Sequence, residues 1–199
     1  MGFTSCQNDF NEPNGGTTGS KYVDVCFVAE TPATRTTVVT SGDRPLFSWD
    51  DNETFAVLEQ TDALAEATCV AYEKVDGKAN ITATFDSNVG KEQYQYATIY
   101  PASGYVAAES LSAITLALPA NQAMAECSYD PNADLLVSKV VTTTAQPAEA
   151  QQVQFTRLVA VAKMTLKNLD LEAGDEIEKV IFTAEGKTLA GSISTDLAN

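Results

Sequence analysis

Hydrophobic and polar residues alternate with a period of two along much of this chain. The clearest run spans residues 21–30, where every second side chain is apolar: Val23, Val25, Phe27 and Ala29. The same alternation returns at 80–86 and at 114–118. Because successive side chains of a strand point to opposite faces, these runs predict half-buried strands of an antiparallel sheet.

Further runs rich in Val, Ile, Thr, Tyr and Phe predict the remaining strands, at 45–49, 54–59, 67–75, 93–100, 134–141, 151–167, 176–184 and 187–194. Glu185-Gly186-Lys187 separates the last two runs, which predicts a tight hairpin. The best helical candidates are short, at 61–67, 107–112 and 120–126. Many short strands separated by turn residues predict an all-β fold, an antiparallel Greek-key β-sandwich with one or two short helices.

The first 20 residues differ in composition from the rest of the chain. Residues 7–20 hold almost no large apolar side chains, so burial there cannot offset the entropy lost on ordering. We therefore expect residues 1–20 to be a flexible tether and residues 21–199 to form one domain, which suits a chain of 199 residues. No apolar run approaches the roughly 20 residues that a membrane-spanning helix needs.

Charge and composition exclude several classes of function. The formal net charge is −15, so the chain is expected to repel nucleic acid. The sequence has no histidine, which excludes Ser-His-Asp, Cys-His and His-zinc chemistry. A catalytic carboxylate pair stays open among the 27 acidic residues, but solvated surface explains most of them. We expect no enzymatic activity and no cofactor.

Four cysteines are widely spaced along the chain: Cys6, Cys26, Cys69 and Cys127. They form no CxxC pair, so the sequence does not favour a metal cluster. If Cys6 carries a lipid, three thiols remain, and an odd number argues against a complete disulfide framework. Cys26 and Cys69 lie in apolar strand-like runs, where buried thiols are ordinary.

Asp130, Asn132 and Asp134 follow the opening spacing of a calcium-binding loop. The pattern then fails, because Leu135 stands where the loop needs glycine and Val141 where it needs a bidentate glutamate. An Asp-Pro-Asn turn explains these residues better, and we expect no metal site.

Three aromatic residues have two interpretations each. Trp49 precedes the acidic run Asp50, Asp51 and Glu53, so it could be a sugar-binding platform, although a buried indole at a strand end is favoured. Tyr94 and Tyr96 share one face of a predicted strand. Exposed, these two rings could recognise a ligand; buried, they would be cross-strand packing, which is favoured.

Several segments resemble a known family when they are taken in order. The run TRTTVVTSGDRPLFSWDDNETFAVLEQ, then YATIYPASG, LPANQ, DLLVSKV and VQFTRLVAVAKMTLKNL, are similar to segments of the Bacteroidetes fimbrillin family, the Mfa-like and FimA-like type V pilins. Thr4-Ser5-Cys6 followed by Gln-Asn-Asp resembles the lipobox end and acidic export tract of surface lipoproteins in that phylum. Thr156-Arg157 departs from the family, which often has a histidine there.

The resemblance implies a specific biology. Such pilins are exported as lipoproteins, and each of their domains is a transthyretin-like β-sandwich. An Arg- or Lys-specific protease cuts after the first strand, and a donor strand from another subunit fills the groove left behind. Carried onto this sequence, Cys6 would be the acylation site, Arg35 the cleavage position, and Val23, Val25 and Phe27 the core face of the removable strand.

Arg35 is a better cleavage candidate than the other arginines considered. It follows the first strand in a Thr/Pro/Ala loop, whereas Pro45 restricts the backbone after Arg44 and Arg157 lies inside a predicted strand. The family normally has a second sandwich domain that supplies donor strands. Since this chain ends at Asn199, we expect it to represent the N-terminal fimbrillin domain without that second domain.

Two hypotheses for function follow. The first is a structural or accessory subunit of type V fimbriae, located at the cell surface after an outer-membrane lipoprotein intermediate and assembled by strand exchange. Its partners would be other pilin subunits, an arginine-specific maturation protease, and host proteins or glycans. The alternative is a surface adhesin or glycan-binding lipoprotein that does not polymerise and uses Trp49, Tyr94 and Tyr96.

Overall fold

The computed structural model describes residues 21–29, 37–41, 44–68, 71–87, 90–123, 129–162 and 166–198. Almost all of its regular structure is strand, and we number the strands in chain order. They are β1 (Tyr22–Ala29), β2 (Thr37–Ser41), β3 (Arg44–Ser48), β4 (Ala56–Gln60), β5 (Leu64–Thr68), β6 (Ala71–Val75), β7 (Lys78–Asp86), β8 (Tyr94–Tyr100), β9 (Tyr105–Ser110), β10 (Ala113–Leu118), β11 (Leu136–Ser138), β12 (Val141–Thr143), β13 (Gln151–Val153), β14 (Phe155–Arg157) and β15 (Gly191–Thr195).

The strands form three packed sheets and one separate hairpin. The outer sheet has the order β13-β1-β7-β6, and the central sheet has the order β14-β11-β8-β4-β5, with β12 also paired to β8. The back sheet has the order β15-β10-β9, and β2 pairs with β3. Every pairing is antiparallel except that of β1 with β13. The predicted all-β, antiparallel sandwich is confirmed.

The central sheet is covered on both faces, which gives the molecule two cores. The outer core lies between the outer and central sheets and includes Phe27, Ile81 and Tyr96. The back core lies between the central and back sheets and includes Leu58 and Leu116. Because both of its faces are covered, β4 is a nearly continuous buried run, whereas β7 of the outer sheet alternates buried and half-exposed residues.

The predicted alternation identified three strands well, two in the outer sheet and one in the back sheet. The runs 21–30 and 80–86 correspond to β1 and β7, and 114–118 corresponds to β10. Asp76-Gly77 joins β6 to β7 with φ of 52° and 78°, the left-handed conformations that a tight hairpin turn requires. The described strand boundaries therefore lie close to those that the alternation predicts.

The helix predictions were wrong where the structure describes them. Residues 61–67 overlap β5, and residues 107–112 overlap β9. Residues 120–123 are not helical, and the rest of the 120–126 prediction lies outside the described residues. The helical turns in the described chain are two 3-10 turns, Ala102–Gly104 and Pro131–Ala133. A one- or two-turn helix has little stability of its own, so pairing with a neighbouring strand prevails.

The predicted hairpin of 176–184 with 187–194 was also wrong. A turn does form, with Gly186 at φ 64° and Lys187 N–H donating to Ala184 O at 3.2 Å. The strand that follows is β15, however, and it pairs with β10 instead. Among the described residues of 158–190 no strand is formed. We call residues 166–190 the exposed segment, since it carries many solvent-exposed apolar side chains: Leu166, Leu169, Leu171, Ile177, Val180, Ile181, Phe182 and Leu189.

Candidate functional site: the first strand and its groove

The first strand, β1, has a full-length partner on one edge. It pairs antiparallel with β7 along its whole length, from Tyr22 opposite Asp86 to Ala29 opposite Ala79. Beyond the strand, Ser87 N–H donates to Lys21 O at 2.8 Å and extends the ladder by one bond. The backbone attachment of β1 is therefore carried mainly by β7.

Within the described chain, the opposite edge of β1 has a strand neighbour only near its C-terminal end. There β13 pairs in parallel with it, from Phe27 opposite Gln151 to Ala29 opposite Val153. Among the described residues, the 22–26 part of β1 has no strand neighbour on this edge. The strand thus lies between a long neighbour and a short one, and removing it would open two strand edges.

The inner face of β1 is part of the outer core. Val25, Phe27 and Ala29 have no exposed surface, and Val23 is half-buried against the same cluster. The Phe27 ring meets Tyr96 of the central sheet edge-on, with centroids 5.6 Å apart. These are the residues that the sequence places on the core face, and their removal would leave an apolar groove floored by the central sheet.

The outer face of β1 makes polar cross-strand contacts with β7. Thr84 Oγ1 donates to Asp24 Oδ1 at 2.6 Å, and Cys26 Sγ lies 3.6 Å from Thr82 Oγ1. Cys26 is buried, as its apolar run predicts. The other cysteines lie outside the described residues, so the disulfide state stays a prediction.

The predicted processing residues differ in where they fall. Cys6 and Arg35 lie outside the described residues, and Arg35 is in the connection between the end of β1 and the start of β2. Arg44 begins β3. Arg157 ends β14, and its side chain is only 10% exposed, so it is a buried structural residue rather than an accessible cleavage position.

Arg157 belongs to a buried polar cluster at one end of the central sheet. Its Nε donates to Asp134 Oδ1 at 2.5 Å and its Nη2 donates to Asp134 Oδ2 at 2.7 Å, a bidentate arrangement. Tyr129 donates its hydroxyl proton to Asp134 Oδ2 at 2.8 Å. The Asp134 side chain has no exposed surface, so its charge is matched by these donors rather than by water.

A second buried carboxylate, Glu59, faces the outer core from β4. Tyr96 donates to Glu59 Oε2 at 2.7 Å, and Gln146 Nε2 donates to the same oxygen at 3.2 Å. Gln146 Nε2 also donates to Asp86 O at 3.0 Å, at the end of β7 opposite Tyr22. Gln146 therefore ties the β12–β13 connection to both the central and the outer sheet.

Burial and the neighbouring Glu59 raise the pKa of the Tyr96 hydroxyl well above its usual value. Because the folded pKa is raised, the stabilisation is fully present below the unfolded tyrosine pKa of about 10 and is lost as pH rises above it. We expect the free energy of unfolding to fall above about pH 10. In the Tyr96→Phe variant this free energy should fall less steeply, with a slope smaller by up to about 1.4 kcal/mol per pH unit.

Urea unfolding between pH 8 and 11 measures this difference. Tyr22→Phe is the matched control, since this ring is exposed. Near pH 7 the Tyr96→Phe protein should be less stable by about 1–2 kcal/mol, because Glu59 loses a donor. Identical alkaline slopes in the wild-type and Tyr96→Phe chains would contradict the assignment.

The three candidate ligand aromatics are buried. Trp49 has no exposed surface and Tyr94 and Tyr96 have almost none. The Trp49 indole packs edge-on against Tyr100 and Phe55, with centroids 5.5 Å away in each case. The folded chain offers none of the three rings to a ligand, which removes the basis on which the sequence suggested glycan binding.

The Asp130, Asn132 and Asp134 group forms a turn, as the sequence favours. Asp130 Oδ1 accepts from Asn132 N–H at 2.9 Å and caps the Pro131–Ala133 turn, while Asp134 is committed to Arg157. Within the described part of the chain, no group of three or more His, Cys, Asp or Glu side chains is placed to hold a metal ion.

Sequence reasoning missed the buried Glu59 and the parallel pairing of β1 with β13, although the residues of β13 fall within the predicted strand run 151–167. Glu59 ends an apolar run, and only the facing tyrosine pattern at 94–96 could have suggested a buried partner. The contact between β1 and β13 joins parts of the chain more than a hundred residues apart, and no local pattern indicates it.

No family model matches the chain, and no curated protein matches it. Among solved structures, the chain is similar to a fimbrial assembly protein from Parabacteroides distasonis, with a TM-score of 0.35 and 10% identity. The match covers 69% of this chain and 53% of that one, so the chain spans about half the length of that protein. So low a similarity carries no conclusion about function.

In the described part of the chain, no helix has the length and apolar character needed to cross a membrane.

Proposed function

We propose that this chain is a non-enzymatic structural or accessory subunit of type V fimbriae, assembled by strand exchange after proteolytic removal of β1. The observation that carries the proposal is the position of β1. Its inner face, Val25, Phe27 and Ala29, is fully buried, yet among the described residues one of its edges has only the short β13 as a strand neighbour. The family resemblance of the sequence supports the same function.

The physical basis is strand replacement. Loss of β1 would expose an apolar groove and leave the edges of β7 and β13 unpaired. An extended segment from another subunit that enters the groove restores both the backbone ladder and the buried face. Because both contributions are regained together, the joint between subunits is strong without a covalent bond.

The route to the surface belongs to the same proposal. Cys6 would carry the lipid of an outer-membrane intermediate, and an arginine-specific protease would cut after Arg35. The partners would be other pilin subunits, with host proteins as further ones. Residues 1–20 would serve as the tether ahead of the removable strand, and residues 21–199 as the N-terminal fimbrillin domain.

Limited proteolysis tests the maturation step. Brief treatment of the folded chain with an arginine-specific protease should give one early cut, after Arg35, detected by intact mass. Arg157 should resist because it ends the paired strand β14 and is held by Asp134. The Arg35→Gln chain is the matched control and should lose this cut alone.

Two outcomes would contradict the proposal. One is a wild-type chain that stays whole under conditions that cleave an unfolded chain. The other is a cut after Arg35 that never permits the β1 fragment to be displaced, measured by native mass spectrometry in mild urea.

A further inference from the structure

Within the exposed segment, residues 177–182 carry four exposed apolar side chains and have no strand partner among the described residues. Ile181 is 71% exposed and Phe182 is 56% exposed. Large apolar side chains that lie together in water are costly, and such stretches commonly mark an interaction site. Its backbone is also free of the strand ladders that the described chain forms.

Residues 180–184, which begin within this stretch, repeat the core-facing pattern of β1. Residues 25–29 read Val-Cys-Phe-Val-Ala and residues 180–184 read Val-Ile-Phe-Thr-Ala. Both place Val, Phe and Ala at alternate positions, and that spacing of the three residues occurs only at these two places in the sequence. In β1 these are the three side chains with no exposed surface.

We propose that residues 180–184 of a second copy of this chain occupy the groove that β1 vacates. This inference rests on the proposed function and names the occupant of the groove. Val180, Phe182 and Ala184 take the places of Val25, Phe27 and Ala29.

The match extends to the neighbours of β1. In the register of β1, Phe182 takes the position of Phe27, which lies opposite Ile81 on β7 and packs against the Tyr96 ring of the central sheet. The strand runs in the same direction as β1, antiparallel to β7. The order of the three residues fixes this direction, since the reverse orientation would place alanine where valine packs.

A second copy is a better source than the same chain. Ala184 is followed after six residues by Gly191, the start of β15 in the back sheet. Seven residue steps span at most about 25 Å. The back and outer sheets lie on opposite faces of the central sheet, about 20 Å apart at the usual sheet spacing. The connection from the groove to Gly191 would also have to pass around the edge of the central sheet. Seven residue steps leave little length for this path within one chain.

Peptide binding tests the inference apart from the proposed function. The full chain is cut after Arg35, the β1 fragment is removed in mild urea, and fluorescent peptides 21–30 and 178–187 are added. Both should bind. Phe182→Asp should weaken the 178–187 peptide at least about tenfold, because it places a charge in the groove. Thr183→Asp adds the same charge on the other face and should change binding less than about threefold.

The outcomes separate the two ideas. If 21–30 binds and 178–187 does not, the groove exists and this inference is wrong. If neither peptide binds, the groove itself and the proposed function fail. Equal loss from Phe182→Asp and Thr183→Asp would indicate non-specific adhesion and would also overturn the inference.

The same substitutions in the full chain test whether the donor is a second copy. After cleavage and removal of the β1 fragment, wild-type and Thr183→Asp chains should associate in analytical ultracentrifugation, and Phe182→Asp should remain monomeric. A processed wild-type chain that stays monomeric at all concentrations, with 180–184 newly protected from hydrogen exchange, would show that the segment folds back into its own groove.

Discussion

Replacing Phe27 with alanine is expected to lower the free energy of unfolding by about 3–5 kcal/mol. The ring is fully buried, meets Tyr96 edge-on and lies opposite Ile81, so its loss leaves a cavity lined by two sheets. Chemical denaturation of the uncut chain measures this loss. Tyr22→Ala on the same strand is the matched control, because its side chain is 55% exposed, and should cost less than about 1 kcal/mol.

Equal losses in the two variants would contradict the placement of Phe27 in the core. The expected difference has a functional meaning as well. Under the proposed function, a strand held by such burial would not leave on its own after the backbone is cut, and an incoming strand would have to regain similar contacts as it displaces β1.

Replacing Asp134 with asparagine is expected to lower the free energy of unfolding by about 3–5 kcal/mol, since the buried Arg157 guanidinium then loses the carboxylate that it contacts through two hydrogen bonds. The two side chains are 0% and 10% exposed, so water cannot compensate. Urea unfolding at neutral pH provides the measurement. The matched control is Asp62→Asn, which removes the partner of Lys91 at the surface, where both side chains are largely or partly exposed, and should cost less than about 1 kcal/mol.

A double replacement sharpens this prediction. Asp134→Leu combined with Arg157→Met removes both charges and should recover much of the loss, because no buried charge remains unpaired. If the double variant is no more stable than Asp134→Asn, the ion pair is not the source of the effect.

The outer sheet could be predicted from the sequence because one of its faces is exposed. In β7 this produces a regular alternation of buried and half-exposed residues that any period-two pattern reveals. The edge strands β5 and β9 were harder to predict. β5 has the sequence LAEAT and β9 has the sequence YVAAES, both rich in residues that favour helix, and pairing with β4 and β10 overrides that preference.

Only those features of the candidate site that depend on neighbouring residues in the sequence could be predicted. The alternation at 21–30 identifies the buried face of β1 without any knowledge of its neighbours. Its parallel contact with β13 depends on distant residues, and the hairpin predicted at 176–194 failed for the same reason, since β15 has its partner in β10. Arg35 and Cys6 stay predictions because they lie outside the described residues.

Because the central sheet is covered on both faces, the two cores depend differently on β1. The back core is built from residues of the central and back sheets, among them Leu58, Ile99, Ile114 and Leu116, and β1 contributes nothing to its described members. Loss of the first strand would therefore disrupt the outer core and leave the back core intact. If β1 is removed as proposed, the central and back sheets would stay packed together and would hold the empty groove in shape.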